Sequence, residues 1–278
     1  MTGVTLVASY PKSGNTWVRA CLTSLRQGGG AVDINALYGD GRLSRAHYDD
    51  ALDVDTSDLL PAEFARYRGE ACRAMLCDCP PPVVLKLHDA WLPFPGTCAF
   101  PLPADMIDAV VFLVRDPRDV APSLAHRGGY DIDAAIDRMA DPAYPLPQQS
   151  DGIWAQIPQF VSSWSAYALS WLESGLPLFL FRYEDLLADP ISRFQAIARV
   201  AGFPHDAVRV GRAVAASRFD VLRAAEAADG FSEARLNPGA RFFRQGIAGA
   251  WRDRLSVAQA ARIERDHGPV MRRLGYLA

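Results

Sequence analysis

Short apolar runs alternate with helical patterns along this chain. Val4 to Ala8 is a β-branched run that stops at Ser9-Tyr10-Pro11, and from Thr16 to Leu25 the apolar residues recur at helical spacing. This order predicts a strand, a tight loop and a helix. Three later apolar runs predict further strands, at Val83 to His88, Ala109 to Val114 and Leu178 to Phe181.

The pattern between the strands predicts an α/β fold. The run from Ala109 to Val114 is wholly apolar, which favours a central strand buried on both faces of a parallel sheet. Because strands and helices alternate without a repeat or linker, we expect one α/β domain over 1–278, with a central, mostly parallel sheet flanked by helices. Helices are predicted at 31–79 (short ones), 116–124, 160–172, 190–201, 207–216 and 257–273, and irregular loops at 140–158 and 228–243.

Composition and charge exclude several classes of protein. The chain has 278 residues, is 50% hydrophobic and carries a formal charge of −3, which argues against a general binder of nucleic acid or anionic membranes. The first residues lack the basic and apolar regions of a signal peptide, and no run approaches the ~20 apolar residues of a membrane span. We therefore expect a cytoplasmic protein with no nucleic-acid or membrane partner.

The five cysteines do not predict a disulfide framework, because their number is odd and no secretory signal precedes them. Cys72, Cys77 and Cys79 are close enough in sequence to suggest a metal site. However, the chain has no second Cys-x-x-Cys, and the nearest histidine, His88, is better placed for another role. We expect reduced, structural thiols and no metal.

The first strand, loop and helix contain the clearest chemical motif, SYPKSGNTWVR from Ser9 to Arg19. A loop between a parallel strand and a helix N-terminus attracts anions, because its N–H groups and the helix dipole both favour phosphate. Gly14 lets the backbone approach such a ligand, while Lys12 and Thr16 add donors. The loop is not a Walker A motif, since Lys12 comes two residues before a single glycine.

The segment YPKSGNTW resembles the 5′-phosphosulfate loop of the cytosolic-type sulfotransferases, which use 3′-phosphoadenosine 5′-phosphosulfate (PAPS). Further motifs of that family follow in order and extend the resemblance from residue 9 to about residue 260. The residues of the first motif are especially similar to the corresponding segment of bacterial enzymes that sulfate glycopeptide antibiotics and other natural products. The later matches are Lys86-Leu87-His88, Arg115 with Ser123 eight residues on, Tyr183 to Leu186, and Phe243 to Trp251 with Gln245 in place of the family's Lys.

The resemblance implies a P-loop-NTPase-like sulfotransferase fold and a transferase of the EC 2.8.2 type. By that resemblance His88 is the general base, Lys12 stabilises charge on the bridging oxygen, Lys86 binds sulfonate or phosphate oxygens, and Ser123 restrains the catalytic lysine. It also implies that Arg115, Ser123, Arg244 and Gly246 bind the 3′-phosphate, that Trp17 and Phe219 sandwich adenine, and that Tyr183 contacts its edge. The complete implied PAPS-binding set is Lys12, Ser13, Gly14, Asn15, Thr16, Trp17, Arg115, Ser123, Tyr183, Ser217, Phe219, Arg244 and Gly246.

The two lysines of the chain both fall in these motifs. Of 29 basic residues only Lys12 and Lys86 are lysine, and the others are arginine. A compact ammonium on a flexible stem follows developing charge in a way that a planar guanidinium does not. This bias predicts that ammonium chemistry is required at both positions.

The remaining expectations concern the acceptor and the competing functions. The acceptor is predicted to be a small-molecule hydroxyl, bound by residues of 31–79, 126–160 and 228–243. Arg118, Arg127 and Arg235 are predicted to be solvated surface charges. A monomer and a homodimer both stay open. Two other functions are a P-loop-like kinase, although GxxxxGK[ST] is missing, and a non-catalytic nucleotide-binding protein.

Overall fold

The computed structural model describes residues 3–39, 45–77, 79–146, 157, 159–234 and 240–278. Four parallel strands form the main sheet in the spatial order β2-β1-β3-β6. A two-stranded antiparallel pair, β4-β5, lies apart from it. The strands are β1 (Val4–Ser9), β2 (Val83–Leu87), β3 (Ile107–Val114), β4 (Pro145–Leu146), β5 (Gln159–Phe160) and β6 (Leu178–Arg182).

Helices flank the sheet and connect its strands, as expected of an α/β fold. No helix among the described residues is both long and apolar enough to cross a membrane. The helices are α1 (Asn15–Arg26), α2 (Arg45–Leu52), α3 (Pro61–Leu76), α4 (Pro117–Gly128), α5 (Ile132–Ala140), α6 (Trp164–Leu172), α7 (Tyr183–Ala188), α8 (Pro190–Val200), α9 (Ala207–Ala216), α10 (Phe219–Asp229) and α11 (Val257–Arg273).

The two central strands supply the core on both faces of the sheet. Successive side chains of a strand point to opposite faces, so Leu6 and Val110 pack into one apolar layer with α4, α5, α6 and α11. Val7 and Val111 pack into the opposite layer with α1, α8 and α9. The prediction that 109–114 is a central, doubly covered strand is confirmed, since β3 lies between β1 and β6.

The N-cap residues of two helices explain why the sequence predicted their bounds correctly. Helices α9 and α11 begin and end where the sequence predicts them. Asp206 caps α9 by accepting from the Arg209 N–H, and Ser256 caps α11 with Gln259 in a capping box.

The helix predicted over 160–172 begins later than expected, at Trp164. Ser163 is its N-cap and accepts a hydrogen bond from the Ala166 N–H. Phe160 is part of β5, where it pairs with Pro145. The sequence also did not predict α5 and α10, and α10 occupies part of the region before the predicted 228–243 loop.

The carboxyl ends of the four parallel strands lie along one edge of the sheet. Ser9, Leu87, Val114 and Arg182 are the last residues of β1, β2, β3 and β6. In open α/β sheets, ligands bind in the crevice outside these ends. The motifs at Ser9 to Arg19, Lys86 to His88, Arg115 to Ser123 and Tyr183 to Leu186 all lie at or just after these strand ends, whereas the Phe243 to Trp251 motif follows α10.

Candidate active site

A cavity of about 810 Å³ lies at the carboxyl ends of the strands. It is lined by residues that directly follow three of the strands, such as His88, Arg115 and Tyr183, and by the loop that follows β1. Residues from all three stretches predicted to bind the acceptor also line it, among them Leu37, Leu146 and Phe242.

Most of the predicted site residues are brought together in this cavity, and two are not. Ser13 and Ser217 are fully buried and do not line it. The Ser217 hydroxyl donates to the Ala213 carbonyl within α9 at 2.8 Å. The predicted residues that line the cavity are Lys12, Gly14, Asn15, Thr16, Trp17, Lys86, His88, Arg115, Ser123, Tyr183, Phe219, Arg244 and Gly246.

The β1–α1 loop has the form of an anion site. Gly14 is the N-cap of α1 with φ +102°, and no side chain caps the helix. The first N–H groups of a helix have no partner within it, and α1 has no acidic residue in its first turn. A Cβ on Gly14 would lie 2.8 Å from the Tyr183 ring. Glycine is therefore required here both for its positive φ and for its lack of a Cβ.

Asn15 fixes the start of this loop. Its side-chain amide donates to the Val7 carbonyl at 2.9 Å and to the Ser9 hydroxyl at 3.1 Å, and both contacts are buried. These bonds tie the N-terminus of α1 to the end of β1. The Asn15 side chain therefore positions the loop.

Lys12 lies in a strongly cationic part of the cavity. Its backbone has φ +73°, an uncommon value for a residue with a side chain, and its Nζ lies 3.9 Å from the centre of the Phe242 ring. Burial lowers the pKa of Lys12 well below its usual range, and the charges of Arg127, Arg115 and Arg244 lower it further. Such a concentration of buried positive charge fits a multiply charged anion.

His88 follows the end of β2 and contacts the end of β1. Its Nδ1 lies 2.7 Å from the Ser9 carbonyl oxygen and 3.3 Å from the Ser9 hydroxyl. Since a carbonyl only accepts, Nδ1 carries the proton and Nε2 carries the free lone pair. Burial, followed by the nearby charge of Lys86, lowers the pKa of His88 to about 3.

Arg115 joins the first loop to the C-terminal part of the chain. Its guanidinium donates to the carbonyl oxygens of Lys12 and Ile247, each at 3.0 Å, and lies 4.5 Å over the Tyr183 ring. The buried Nε of Arg115 has no partner among the described residues, nor does the indole N–H of Trp17. Buried N–H donors without a protein partner, beside a cationic cavity, fit a site that binds an anionic ligand.

Two carboxylates hold the segment that includes Arg244 and Gly246. Asp119 accepts from the Gly249 and Trp251 N–H groups at 2.6 and 2.8 Å, and Glu226 accepts from the Phe242 and Phe243 N–H groups. This segment thus follows the surface of α4 and α10.

Gly246 has its own steric requirement within this segment. It adopts φ +65°, and a Cβ there would lie 2.3 Å from the Phe219 ring. Glycine therefore allows close packing of the segment against an aromatic wall of the cavity.

Two predictions about arginines are wrong. Arg127 lines the cavity and donates to the Glu233 carbonyl at 3.0 Å. Arg118 is 8% exposed and pairs with Asp116 and Glu264, each at 2.7 Å. Each instead contacts a segment distant in sequence, Arg127 the Ser232–Ala234 turn and Arg118 the helix α11 through Glu264. Arg235 lies outside the described residues.

Glu233 is a site residue that the sequence did not indicate. It lies in the 3-10 turn Ser232–Ala234, inside the segment predicted to be an irregular loop. Its carboxylate pairs with Arg19 and Lys86, at 2.7 and 3.2 Å. No motif surrounds it, and its partners come from α1 and β2, so no local signal was available.

The three neighbouring cysteines make separate protein contacts. Cys72 is buried 3.9 Å from the Tyr48 hydroxyl, while Cys77 and Cys79 contact the Ala74 and Met75 carbonyl oxygens. Across the ranges that the structure describes, no group of three or more His, Cys, Asp or Glu residues is arranged to hold a metal ion.

A model of the sulfotransferase domain matches residues 101–275. Because this match covers more than half of the chain, the protein belongs to the sulfotransferase family of enzymes. Over 97% of its length the chain is 24% identical to sulfotransferase 1A1 of the dog (Canis lupus familiaris), covering 84% of that protein. Over 59% of its length it is 29% identical to human sulfotransferase 2B1, covering 44% of that protein.

Solved structures show the same fold. Retinol dehydratase in complex with androsterone and the inactive cofactor PAP matches 96% of this chain and 80% of its own, with a TM-score of 0.61 and 20% identity. A mouse sulfotransferase complexed with PAP matches 95% of this chain and 82% of its own, with a TM-score of 0.58 and 15% identity. These matches confirm the predicted α/β sulfotransferase fold.

Proposed function

We propose that this protein is a PAPS-dependent O-sulfotransferase that transfers a sulfuryl group to a phenol or alcohol of a small molecule, with a natural product as the acceptor. The proposal depends on one observation in a chain of the sulfotransferase family: a single cavity is lined by two lysines, a histidine and two arginines. These residues are Lys12, Lys86, His88, Arg115 and Arg244. The structures named above contain PAP, the product that PAPS leaves.

The residues around the cavity fit such a nucleotide. When bound, PAPS supplies a sulfuryl group joined to a phosphate leaving group. Arg115, Ser123 and Arg244 would hold the 3′-phosphate, with the arginines offering paired N–H donors. The loop from Lys12 to Trp17 would hold the 5′-phosphate end through its N–H groups and the helix dipole. Trp17, Phe219 and Tyr183 would bind the adenine.

His88 acts as the general base. The hydrogen bond from Nδ1 to the Ser9 carbonyl fixes the tautomer, so that Nε2 receives the proton of the acceptor hydroxyl. Because its pKa is lowered to about 3, the imidazole is uncharged and available at neutral pH. A positioned general base contributes about 10²- to 10⁴-fold to the rate, most when its pKa lies near the working pH, so we expect His88 to contribute at the lower end of that range.

Lys12 and Lys86 supply charge where it develops. With PAPS bound, Lys12 would stabilise the charge that develops on the leaving phosphate, and Lys86 would stabilise the group in transfer. Ser123 faces the same cavity and restrains Lys12 before the acceptor is bound. No step of this scheme needs a metal ion.

The acceptor side of the cavity suits a small apolar molecule with a hydroxyl group. Phe231, Phe242 and Phe243 form a packed aromatic cluster, with ring centres 4.8 to 5.5 Å apart. Phe242 lines the cavity with Leu37 and Leu146. Androsterone and retinol, which are bound in structures of retinol dehydratase, are likewise apolar alcohols.

Calorimetric titration of the protein with adenosine 3′,5′-bisphosphate, in parallel with ATP and Mg²⁺, tests the nucleotide class. We expect the bisphosphate to bind at least tenfold more tightly, without a requirement for Mg²⁺. Tighter binding of ATP with Mg²⁺ would favour the phosphoryl-transfer alternative. Binding of the bisphosphate without any sulfuryl transfer would favour a non-catalytic nucleotide-binding protein.

A further inference from the structure

One carboxylate oxygen is shared by two buried cations beside the proposed general base. The Oε1 atom of Glu233 lies 2.7 Å from a guanidinium nitrogen of Arg19 and 3.2 Å from the Nζ of Lys86. The Arg19 side chain is 1% exposed and that of Lys86 9% exposed. The Glu233 side chain is 24% exposed, and its removal would leave two buried cations without a compensating charge.

The turn that carries Glu233 is held independently of Lys86. Arg127 donates to the Glu233 carbonyl at 3.0 Å, and the Ser232 N–H donates to the Asn35 side-chain oxygen at 2.8 Å. The Asn35 amide in turn donates to the Gly230 carbonyl at 3.3 Å. The backbone that carries the carboxylate is thus fixed from α4 and from the turn that contains Asn35.

Arg19 is anchored in the same way, whereas Lys86 is not. The Arg19 guanidinium also donates to the Tyr38 and Leu37 carbonyl oxygens, at 3.2 and 3.3 Å. In the described part of the chain, Glu233 is the carboxylate that forms an ion pair with Lys86. A flexible lysine side chain therefore takes its position from a fixed carboxylate.

We propose that Glu233 is a positioning residue of the transfer reaction, which orients the Lys86 ammonium toward the reacting group and keeps it charged. This inference rests on the proposed function, because Lys86 matters in this way only if a sulfuryl group is transferred beside it. Glu233 acts through Lys86 and takes no proton from the acceptor.

The electrostatic role follows from the charges that face Lys86. Burial lowers the pKa of Lys86, and the positive charges of Arg19 on α1 and Arg127 on α4 lower it further, while Glu233 raises it. His88, the neighbour of Lys86 at the end of β2, faces Lys86, Arg127 and Glu233 and is neutral. Without Glu233, three cations would face one another, and Lys86 would lose its proton at a lower pH.

The test compares Glu233→Gln with the wild-type enzyme across pH. We expect kcat to fall at least tenfold while the KM for PAPS changes less than about threefold, since the lost interaction acts in the transition state. The alkaline limb of the kcat profile should move to lower pH. Glu233→Asp keeps the charge, so the alkaline limb of its kcat profile should stay closer to that of the wild type, even if the shorter side chain lowers kcat. If Glu233 had only a structural role, Glu233→Gln would lower the melting temperature and leave the alkaline limb at the pH of the wild type.

A double-mutant cycle shows whether Glu233 acts through Lys86. In a Lys86→Met background, Glu233→Gln should lower kcat less than about threefold, because the residue to be positioned is gone. Glu264→Gln is the matched control, since Glu264 pairs with Arg118 at 2.7 Å but does not line the cavity. Its kcat should equal that of the wild type.

Two outcomes would overturn the inference, and both are distinct from failure of the proposed function. The first is a Glu233→Gln enzyme with wild-type kcat and an unmoved alkaline limb. The second is full additivity of the two substitutions. If the wild-type enzyme itself transferred no sulfuryl group from PAPS, the proposed function would fail instead. If Glu233→Gln did not fold, the Glu233→Asp profile would decide: this variant keeps the charge, so an alkaline limb well below that of the wild type would contradict the charge-holding role.

Discussion

The Nδ1 atom of His88 lies 2.7 Å from the carbonyl oxygen of Ser9, and this contact is a product of the sheet register. Strands β1 and β2 are parallel, and Ala8 pairs with Leu87, so Ser9 and His88 are the next positions on each strand. The sheet therefore brings the first motif and the Lys-x-His motif together. The same contact selects the tautomer that leaves Nε2 free to accept a proton.

The pH dependence of kcat/KM follows from the charge state of His88. Its pKa is lowered to about 3, so the base stays neutral as pH falls through the range where an ordinary histidine becomes charged. We expect kcat/KM to be flat from about pH 8 down to about pH 5. On the alkaline side it should fall before an ordinary lysine would titrate, because the pKa values of Lys12 and Lys86 are both lowered. An acid limb near pH 6.5, abolished by His88→Gln, would contradict the lowered pKa.

Replacement of Lys12 by arginine tests whether an ammonium is required there. Lys12→Arg keeps the charge but exchanges a compact donor for a planar, bulkier one in a site packed against Phe242. We expect kcat to fall at least about 100-fold while the melting temperature stays within a few degrees. Steady-state kinetics with a melting curve measure both. Retention of most of kcat would mean that the scarcity of lysine is a compositional accident.

Gly246→Ala should weaken nucleotide binding for a steric reason. The new Cβ would lie 2.3 Å from the Phe219 ring, and residue 246 has φ +65°, a value that alanine rarely adopts. We expect the affinity for adenosine 3′,5′-bisphosphate to fall at least about tenfold, since strain of this kind costs about 1–3 kcal/mol.

Gly175→Ala is the control for this substitution. Gly175 has a similar φ of +73°, but nothing lies within 4 Å of the added atom. It does not line the cavity, so its binding isotherm should match that of the wild type. Equal loss of affinity in both variants would show that backbone strain alone, and not the Phe219 contact, is responsible.

The reassigned position of Arg127 also has a measurable consequence. Arg127→Gln removes a positive charge from the cavity wall and from the surroundings of Lys12, so kcat/KM for PAPS should fall at least about tenfold. Arg209→Gln is the matched control, because Arg209 is 58% exposed on α9 and pairs with Asp206 at the surface. If both variants kept wild-type kcat/KM, Arg127 would behave as the solvated charge that the sequence suggests.

The parts of the site that the sequence predicted are those encoded locally. Lys12 and His88 each lie just after a strand end, where an apolar run followed by a polar motif marks a candidate position, and the resemblance to the sulfotransferases supplied their roles. Helix α11 was likewise predictable, because Ser256 and Gln259 mark its start within four residues. The register of a parallel sheet then brings such strand-end motifs together without further information.

The parts that the sequence did not predict depend on distant contacts. Arg19 and Glu233 are 214 residues apart, and neither belongs to a recognisable pair in the sequence. Arg127 resembles any arginine near the end of an amphipathic helix until the Ser232–Ala234 turn packs against it. Burial of a charge is decided by which segments meet, and a single sequence does not contain that information for an irregular loop.

Transfer of ³⁵S from labelled PAPS to a panel of phenols, alcohols and sugars is the most direct test of the account. We predict time-dependent formation of a labelled sulfate ester with at least one phenol or alcohol, without added metal. His88→Ala should lower this rate about 100-fold or more while still binding adenosine 3′,5′-bisphosphate. A wild-type enzyme that labels no member of the panel, or a His88→Ala variant with full turnover, would contradict the proposed reaction or its general base, respectively.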